Sequence, residues 1–395
     1  MAVPYCIRRV VWQTCLLTVV VLLACTHGKE QVLDNKNPLC DAGVCDAGIS
    51  NRTASLGRLQ QPRTDDADVF SLLEWASEHG AEGIQNLKLA YFNKSGHQVR
   101  GLAASSKLRS GEVAFRIPEK LIFTQQHPTM MESPFYNLTG SHPIKVPFSM
   151  LLYFATERRR IVEGGKSFWA PYIRSIGTPE EFAAYHPLFA NTELTKSFKT
   201  LPPVQAVKEL QQTIEQLWDK HKHEWISLAK QSGVDGLAFE DFKWATVAMG
   251  SRRFTITWGH HGLSSLSKGD AMVPVADLLN HHNNNNLEWF RDLRGDPPAW
   301  EMTAERSIRS GSELTDSYGE LSNAGLIILH GFLHAGNPER IQATDRKPCG
   351  TKRLAKMLAL EPGAQPSILA MFKGLLREYC DALPVLAPRR PAPPP

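Results

Sequence analysis

The side chains best suited to chemistry in this sequence lie in the segment VPVADLLNHHNNNN, at residues 273–286. Asn280 and His281 follow an apolar, strand-like run, at a point where the chain must leave its strand. The neighbouring run Asn283–Asn286 is typical of an Asn-rich turn and needs no further explanation. Asn280 and His281 are more informative than this turn, because a second polar motif follows downstream.

That second motif, GSELTDSYGELSNAGLIILHGF, occupies residues 311–332. Its pattern predicts a strand that ends at Tyr318-Gly319 and a helix that begins near Ser322. Serine is a favoured N-cap, because its hydroxyl can accept a hydrogen bond from the first turn of a helix. The motif therefore places Tyr318 between a strand and a helix.

Two pairs of adjacent histidines, His260-His261 and His281-His282, raise the question of a metal site. Adjacent side chains of an extended chain point in opposite directions, so such a pair rarely chelates one ion. The cysteines supply no set of four suitably spaced ligands either. We therefore predict no bound metal.

Together, the two motifs resemble the SET domain of protein methyltransferases, in the branch typified by the Rubisco large-subunit methyltransferases. That branch pairs a D-x-L-N-H strand end with an S-Y-G-x-x-S-N-A segment, and both occur here in the same order. Further segments resemble the family's leading helix, its opening β-unit and its inserted helical region; these are residues 70–81, 99–124, 167–173 and 244–254. The resemblance spans roughly residues 66–340.

The resemblance implies methyl transfer from S-adenosyl-L-methionine to a lysine of a protein substrate. In SET domains the cofactor and the peptide enter from opposite faces and meet through a narrow channel. Methyl transfer from a sulfonium to an amine is an in-line displacement, which depends on positioning more than on acid–base power. Tyr318 matches the family's S-Y-G tyrosine, so it is expected to line the channel, orient the amine and stabilise the transferring methyl electrostatically.

The same residue-by-residue match implies a cofactor-binding set: Arg100, Gly101, Leu102, Ser251, Arg252, Asn280, His281 and Phe332. Arg100 and Leu102 are expected to contact the cofactor through their backbone, as are the Asn-His pair, aided by the Asn side chain. Arg252 is expected to face the cofactor carboxylate and the lysine channel, since a guanidinium grips a carboxylate by two parallel hydrogen bonds. Phe332 is expected to stack on the adenine.

Substrate contacts are expected from four residues: Arg252, Asp277, His330 and Tyr318. Asp277 precedes Asn280 by three residues, and on an extended strand it would point to the opposite face.

The sequence also departs from the family pattern. Val99 replaces the first glycine of a Gly-x-Gly-Leu loop, where a side chain could crowd the close backbone approach to the cofactor. His330 replaces a second channel tyrosine, so it could alter amine recognition or the number of methyl groups added.

The distribution of strand and helix patterns predicts an α+β fold. Strand and turn patterns occupy residues 87–124, and strands return near Met272–Val275, Trp300–Ala304 and Glu313–Ser317. We predict a SET-domain β-fold at residues 65–340 with a helical insert at about 147–248. A short, incomplete C-terminal helical region at 341–386 and a Pro-rich tail at 387–395 follow it.

The N-terminal segment predicts entry into the secretory pathway. Residues 1–28 place two arginines before an apolar run, Val10 to Cys25, which is the layout of a signal peptide. An uncleaved signal anchor is the alternative, and membrane contact is expected only in that case. A two-part plastid address is a further alternative. Residues 29–64 are polar and without periodicity, which predicts a flexible linker.

Sequons and cysteines bear on the same question. Sequons begin at Asn51, Asn93 and Asn137, which is consistent with secretion. Four cysteines follow residue 28, too few for a disulfide framework. Cys40 and Cys45 lie in the short repeat CDAGVCDAG, so we expect a local disulfide there in an oxidising lumen.

Charge and composition exclude some functions and leave others open. The net charge is +4, of which Arg8 and Arg9 supply two, so we expect no nucleic-acid partner.

Protein-histidine N-methylation, known in one branch of the family, is an alternative activity, although Phe254 favours the lysine-modifying pattern. A SET-fold protein-binding module without catalysis is the other alternative, suggested by Val99, His330, the short C-terminus and the leader. The sequence does not fix the substrate protein or the oligomeric state.

Overall fold

The computed structural model describes residues 66–94, 97–258, 267–292, 297–339, 341, 347–361 and 363–382. The predicted leader, linker, Cys40–Cys45 pair, His260-His261 pair and Pro-rich tail lie outside these residues. Among the described residues, no helix has the length and hydropathy that crossing a membrane requires.

The described chain mixes helices and strands, which confirms the α+β prediction. The helices are α1 (Asp66–Glu78), α2 (Pro128–Met131), α3 (Phe148–Val162), α4 (Ala170–Ile176), α5 (Pro179–Tyr185), α6 (Thr192–Ser197), α7 (Pro202–Gln231), α8 (Phe239–Arg252), α9 (Asn323–His330), α10 (Thr351–Leu358) and α11 (Pro366–Asp381). The strands are β1 (Leu87–Lys94), β2 (His97–Ala104), β3 (Val113–Pro118), β4 (Phe123–Thr124), β5 (Arg253–Trp258), β6 (Ser267–Met272), β7 (Asn280–His281), β8 (Leu287–Asp292), β9 (Ala299–Ala304) and β10 (Glu313–Asp316).

The strands form three small sheets, with the orders β1-β2-β10-β7, β3-β9-β8 and β4-β6-β5. Each sheet combines strands from before and after the long helical segment. β2 pairs antiparallel with β10, with Leu102 opposite Leu314, and β10 pairs parallel with β7, with Thr315 opposite Asn280. The sheets therefore bring residues about 200 positions apart to one place.

The first two sheets are joined by hydrogen bonds from two turns of similar sequence, Leu108–Gly111 and Ile308–Gly311. Leu108 and Ile308 form an antiparallel bridge, and both glycines have a φ of 79°. The Gly111 amide donates to the Ala304 carbonyl at 2.7 Å, and the Gly311 amide donates to the Ala104 carbonyl at 2.8 Å. A φ of this value favours glycine, so an L side chain would strain both turns.

Helices α3 to α8 form the predicted insert, and its last helix extends beyond the predicted end to Arg252. Helix α3 packs against α8, and the two are joined by Asp241, whose side chain is fully buried. Arg158 and Arg159 of α3 both bind this carboxylate, Arg159 through Nε at 2.8 Å. Helix α8, held to α3 by these ion pairs, ends at the Ser251-Arg252 pair that the sequence motifs identified as a binding element.

A second, smaller core joins the C-terminal helices to the insert. It contains Phe198 and Leu201 beside α7, Ile327 of α9, and one face of α11 that includes Phe372. α10 and α11 lie in the predicted C-terminal helical region, and a disulfide joins Cys349 and Cys380 there. The sequence analysis did not foresee this disulfide, because nothing in two cysteines 31 residues apart indicates their pairing.

The segment before Asn280 differs from the prediction. β6 ends at Met272, Val275 has a φ of 71°, and Ala276–Leu278 forms a 3-10 turn. The predicted strand over Met272–Val275 is therefore wrong beyond Met272, and Asn280 belongs to a short strand instead of following one. All side chains from 271 to 279 are buried, and an apolar run without periodicity cannot separate a strand from a buried turn. The sequence analysis also missed β5 and β8.

Candidate active site

The parallel pairing of β7 with β10 brings the two sequence motifs into direct contact. The Tyr318 hydroxyl donates to the Leu279 carbonyl at 2.8 Å, and the Tyr318 amide donates to His281 Nδ1 at 3.0 Å. Since Nδ1 accepts, the neutral His281 ring carries its proton on Nε2. Burial lowers the pKa of His281 to about 4, so the ring is neutral near pH 7.

Tyr318 is held as a neutral phenol. Burial raises the pKa of its hydroxyl above the ordinary value, although the nearby Arg252 charge opposes this shift. The hydroxyl proton is directed at Leu279, so towards any other group the oxygen can act only as an acceptor. Tyr318 therefore offers an acceptor at the junction of the two motifs and does not act as a base.

Arg252 and Asp277 form a buried pair beside this junction. Arg252 Nη1 lies 2.9 Å from the Asp277 carbonyl and 3.4 Å from its Oδ2, and the Tyr172 hydroxyl donates to Oδ2 at 2.9 Å. Burial raises the pKa of Asp277 against the opposing charge of Arg252. Burial is the largest single influence and lowers the pKa of Arg252, but the Asp277 carboxylate and the neighbouring tyrosine hydroxyls together outweigh it, so the pKa rises.

Asp277 reaches Arg252 because of the 3-10 turn that it occupies, so the predicted strand geometry for Asp277 is wrong. Within the described residues, Asp277 Oδ1 is buried and has no hydrogen-bond partner. A buried acceptor without a partner costs free energy, so this oxygen is suited to an incoming donor.

Arg100, from β2, is a second buried guanidinium near Arg252. Its Nη2 donates to the Ser175 carbonyl at 2.8 Å, whereas Nη1 is buried without a partner in the described part of the chain. Burial lowers the pKa of Arg100, and the charge of Arg252 lowers it further. Because Asp277 already pairs with Arg252, an anion at this place would chiefly neutralise Arg100 and bind its unused donor.

Gly101 and Asn280 are in close contact across β2 and β7. The Asn280 amide nitrogen donates to the Arg100 carbonyl at 3.0 Å and to Glu313 Oε1 at 2.9 Å. A Cβ at Gly101 would lie 2.4 Å from that nitrogen, so no larger residue fits without a shift. Both Asn280 donors are therefore used within the protein, and its carbonyl oxygen is the atom left for a ligand.

Aromatic rings gather around Tyr318 from the end of α9. The His330 ring stacks on Tyr318 with a centroid distance of 4.6 Å, and Phe332 lies 6.3 Å from Tyr318 and 6.2 Å from His281. His330 Nδ1 lies 2.9 Å from the Ser251 carbonyl. Gly331 ends α9 with a φ of 71°, and the chain turns there so that the Phe332 ring lies beside Tyr318.

The structure brings most of the predicted site residues together. Contacts form three groups: the Ser251 carbonyl with His330, Tyr318, His281 and Phe332; Arg252 with Asp277; and Asn280 with Arg100 and Gly101. The first two groups are neighbours because Arg252 follows Ser251 in the chain. The Leu102 side chain is fully buried in the core, so only its backbone is available. Val99 is half-buried in β2, opposite Phe92.

The sequence analysis missed three residues that hold the site in place: Tyr172, Ser175 and Glu313. Tyr172 lies within a family-like segment that the analysis quoted without assigning it a role. Ser175 acts through its backbone carbonyl, and Glu313 binds Asn280 and also Lys94, whose Nζ is 2.5 Å from Oε2. Such contacts depend on the fold, and no local pattern indicates them.

Comparison with known proteins gives a SET-domain family match over residues 99–319, more than half of the chain. SET domain-containing protein 4 of Artemia parthenogenetica is 27% identical over 69% of this chain and 64% of its own length. N-lysine methyltransferase setd6 of Xenopus laevis is 25% identical over 67% of this chain and 57% of its own length. Actin-histidine N-methyltransferase of Xenopus tropicalis is 24% identical over 68% of this chain and 44% of its own length.

Solved structures agree in fold. The SET domain of the Rubisco methyltransferase LSMT, bound to lysine and S-adenosylhomocysteine, matches with a TM-score of 0.55 and 18% identity. That match covers 72% of this chain and 63% of the LSMT chain, and the S-adenosylmethionine-bound form matches with a TM-score of 0.53. The chain spans less than two thirds of the length of these relatives.

Proposed function

Because the chain belongs to the SET-domain family, we propose that it is an S-adenosyl-L-methionine-dependent protein-lysine N-methyltransferase. Relatives that modify lysine, and the fold shared with LSMT, support this activity. The proposed substrate is a protein that presents a lysine side chain to the region around Tyr318.

The pair of buried guanidinium groups is the observation that carries the proposal. The amino-acid part of S-adenosylmethionine has a carboxylate and an ammonium group. Arg100 has a buried donor without a partner within the described residues, and Arg252 lies close enough to lower the pKa of Arg100. These two residues fit the carboxylate, and the carbonyl oxygen of Asn280 fits the ammonium.

The remaining site residues fit the transfer itself. When bound, S-adenosylmethionine supplies an electrophilic methyl group on a sulfonium. The acceptors around Tyr318 can orient an amine so that its lone pair faces that methyl. The Tyr318 oxygen, held in place by Leu279, adds partial negative charge beside the reacting atoms. We assign Phe332 to the adenine and His281 to fixing the backbone of Tyr318, since its Nδ1 accepts from that amide.

Calorimetry of the full chain with S-adenosylhomocysteine tests the cofactor site. We expect binding in the wild type, a loss of at least tenfold in Arg100→Met, and partial retention in Arg100→Lys, which keeps the charge. Tyr318→Phe should bind normally but lower turnover by roughly 10²-fold, the scale for one electrostatic stabiliser. A folded protein that does not bind S-adenosylhomocysteine at millimolar concentration would leave the binding-module alternative.

Histidine methylation remains a second candidate, because the actin-histidine relative is as similar to this chain as the lysine-modifying one is. Phe254, which follows the Ser251-Arg252-Arg253 run, favours lysine. Labelled methyl donor, a cell extract as the source of substrate proteins, and amino-acid analysis of the labelled product distinguish the two. Label in methylhistidine alone would overturn the lysine assignment.

We further propose that the chain enters the secretory pathway. The layout of residues 1–28 supports this, and so does the Cys349–Cys380 disulfide, because such bonds persist mainly in oxidising compartments. Asn137 offers a test, since it and Thr139 are exposed in a surface turn. In secretory cells, removal of N-linked glycans should shift the wild type and Thr139→Ser but not a variant lacking all three sequons. A glycan-free protein with a reduced Cys349–Cys380 pair would argue for another compartment.

A further inference from the structure

Helix α11 contacts the segment that follows Phe332 through Glu378. Glu378 Oε2 accepts a hydrogen bond from Asn323 Nδ2 at 2.6 Å. The buried Asn323 amide also pairs with the backbone of His334: Nδ2 donates to the His334 carbonyl at 3.1 Å, and the His334 amide donates to Oδ1 at 2.8 Å. Because the His334 amide can only donate, Oδ1 must face it and Nδ2 must face Glu378. Glu378 therefore binds the second donor of a side chain that holds residue 334.

A glycine on the same face of α11 holds the neighbouring residue of this segment. Gly374 lies about one helical turn before Glu378, and a Cβ there would lie 2.5 Å from Leu333 Cδ1. Glycine destabilises a helix interior relative to alanine, but here it permits the close approach of Leu333. Leu333 and His334 directly follow Phe332, the residue that we assign to the adenine. Two contacts of α11 therefore hold the chain immediately beyond this ring.

The Cys349–Cys380 disulfide anchors the end of α11 that carries Glu378. The helix ends at Asp381, so Glu378 lies in its last turn, and the last turn of a helix frays readily. Cys380 lies in the same turn and is bonded to Cys349, which precedes α10. Both cysteines are half-buried, so a small thiol can reach the bond. The disulfide therefore keeps the last turn of α11, and with it Glu378, beside Asn323.

We propose that Glu378 is a positioning residue that couples the Cys349–Cys380 disulfide to the cofactor site, so that reduction of this bond weakens S-adenosyl-L-methionine binding. This inference rests on the proposed methyltransferase function and names a way of regulating it. A dithiol gives two electrons and two protons to the disulfide, which becomes two thiols, while the dithiol becomes a disulfide. The last turn of α11 can then separate from Cys349, and Glu378 leaves Asn323. Part of the binding free energy is then used to order the segment around Phe332.

Two substitutions at residue 378 separate positioning from general packing. Glu378→Gln keeps a side-chain oxygen that can accept from Asn323, so it should bind S-adenosylhomocysteine nearly as tightly as the wild type does. Glu378→Met keeps the length of the side chain but loses the acceptor, so we expect affinity to fall by about three- to tenfold, the scale of one hydrogen bond. Asp381→Asn removes a charge from the exposed end of the same helix and should leave affinity unchanged.

The measurement is calorimetry of the full chain with S-adenosylhomocysteine, before and after reduction with dithiothreitol, at a temperature where circular dichroism shows every sample folded. We expect reduction to weaken binding by about three- to tenfold in the wild type and Glu378→Gln, but to add little in Glu378→Met, where the coupling is already lost.

A merely structural disulfide would lower the unfolding temperature and leave the dissociation constant of the folded protein unchanged. Equal affinities of the oxidised and reduced wild type, or the same loss on reduction in Glu378→Met as in the wild type, would overturn the proposal. Absence of binding by the folded, oxidised wild type would instead reject the proposed function on which the coupling rests.

Discussion

At the scale of single residues, Gly101 shows how closely the site is packed. The Asn280 amide nitrogen lies 2.4 Å from the position that a Cβ at residue 101 would take, which is too close for a Cβ. We expect Gly101→Ala to destabilise the fold by about 1–3 kcal/mol, the usual range for overpacking, and to weaken S-adenosylhomocysteine binding. Thermal unfolding and calorimetry measure the two effects.

Two controls test whether the Asn280 contact causes the expected effects of Gly101→Ala. Gly363→Ala adds the same methyl group outside any helix, where no atom lies within 4 Å, so it should leave both measurements nearly unchanged. In an Asn280→Ala background the crowding is relieved, so Gly101→Ala should cost less there than in the wild type. Identical costs in the two backgrounds would mean that the Asn280 contact is not the reason for glycine.

The same scale shows what sequence could and could not predict. Asn280, His281 and Tyr318 were found because short motifs carry them, and the structure brings these residues together. Asp277 was identified as a residue but assigned the wrong geometry, because the apolar run around it does not distinguish a strand from a buried turn. Tyr172 and Glu313 contact the site from distant elements, and such contacts become visible only after folding.

At the scale of elements, α9 connects the active site with the C-terminal helices. Its final residue, His330, stacks on Tyr318, while Ile327 is buried in the second core and Asn323 binds Glu378 of α11 at 2.6 Å. The Cys349–Cys380 disulfide stabilises this core from outside. The position of His330 therefore depends on helices that do not touch the site.

Removal of the Cys349–Cys380 disulfide tests how much this bond stabilises the C-terminal helices and the core that they form. It closes a loop of 31 residues, so the Cys349→Ser, Cys380→Ser double variant should lose roughly 2–4 kcal/mol of unfolding free energy. Urea unfolding measures the loss, and the reduced wild type should behave like the variant. An oxidised wild type that unfolds at the same urea concentration as the variant would show that the bond contributes nothing.

At the scale of the whole molecule, buried histidines make stability depend on pH. Burial lowers the pKa of His142 to about 3 and that of His186 to about 4, and both rings are almost fully buried. The unfolded chain binds these protons below pH 6.5, whereas the folded protein excludes them. The free energy of unfolding is therefore highest above pH 6.5, where both histidines are neutral in the folded and unfolded states. It falls as the pH decreases towards 4, because only the unfolded state then binds the protons.

We therefore expect the unfolding free energy to fall between pH 7 and pH 5, with each histidine contributing about 1.4 kcal/mol per pH unit below 6.5. Burial raises the pKa of Asp270 and Asp277, which acts in the opposite direction at the acid end. The difference between wild type and His142→Asn in urea unfolding isolates one histidine. The same slope in both proteins would contradict the assignment.

Fold class and helical insert were predictable at this scale, because their periodic patterns are long. The order of strands within the sheets was not, since β2 meets β10 through pairing that no local pattern encodes. The Cys349–Cys380 bond was hidden for the same reason.

The pairing of β2 with β10 also has a consequence for synthesis. A ribosome releases β2 about 200 residues before β10 exists, so the first hairpin waits with an unpaired edge while the insert is made. Chains with such distant pairings fold slowly and expose strands that can aggregate. A chain truncated before residue 313 would lack both the partner of β2 and Tyr318, so we expect it to require chaperones and to remain inactive.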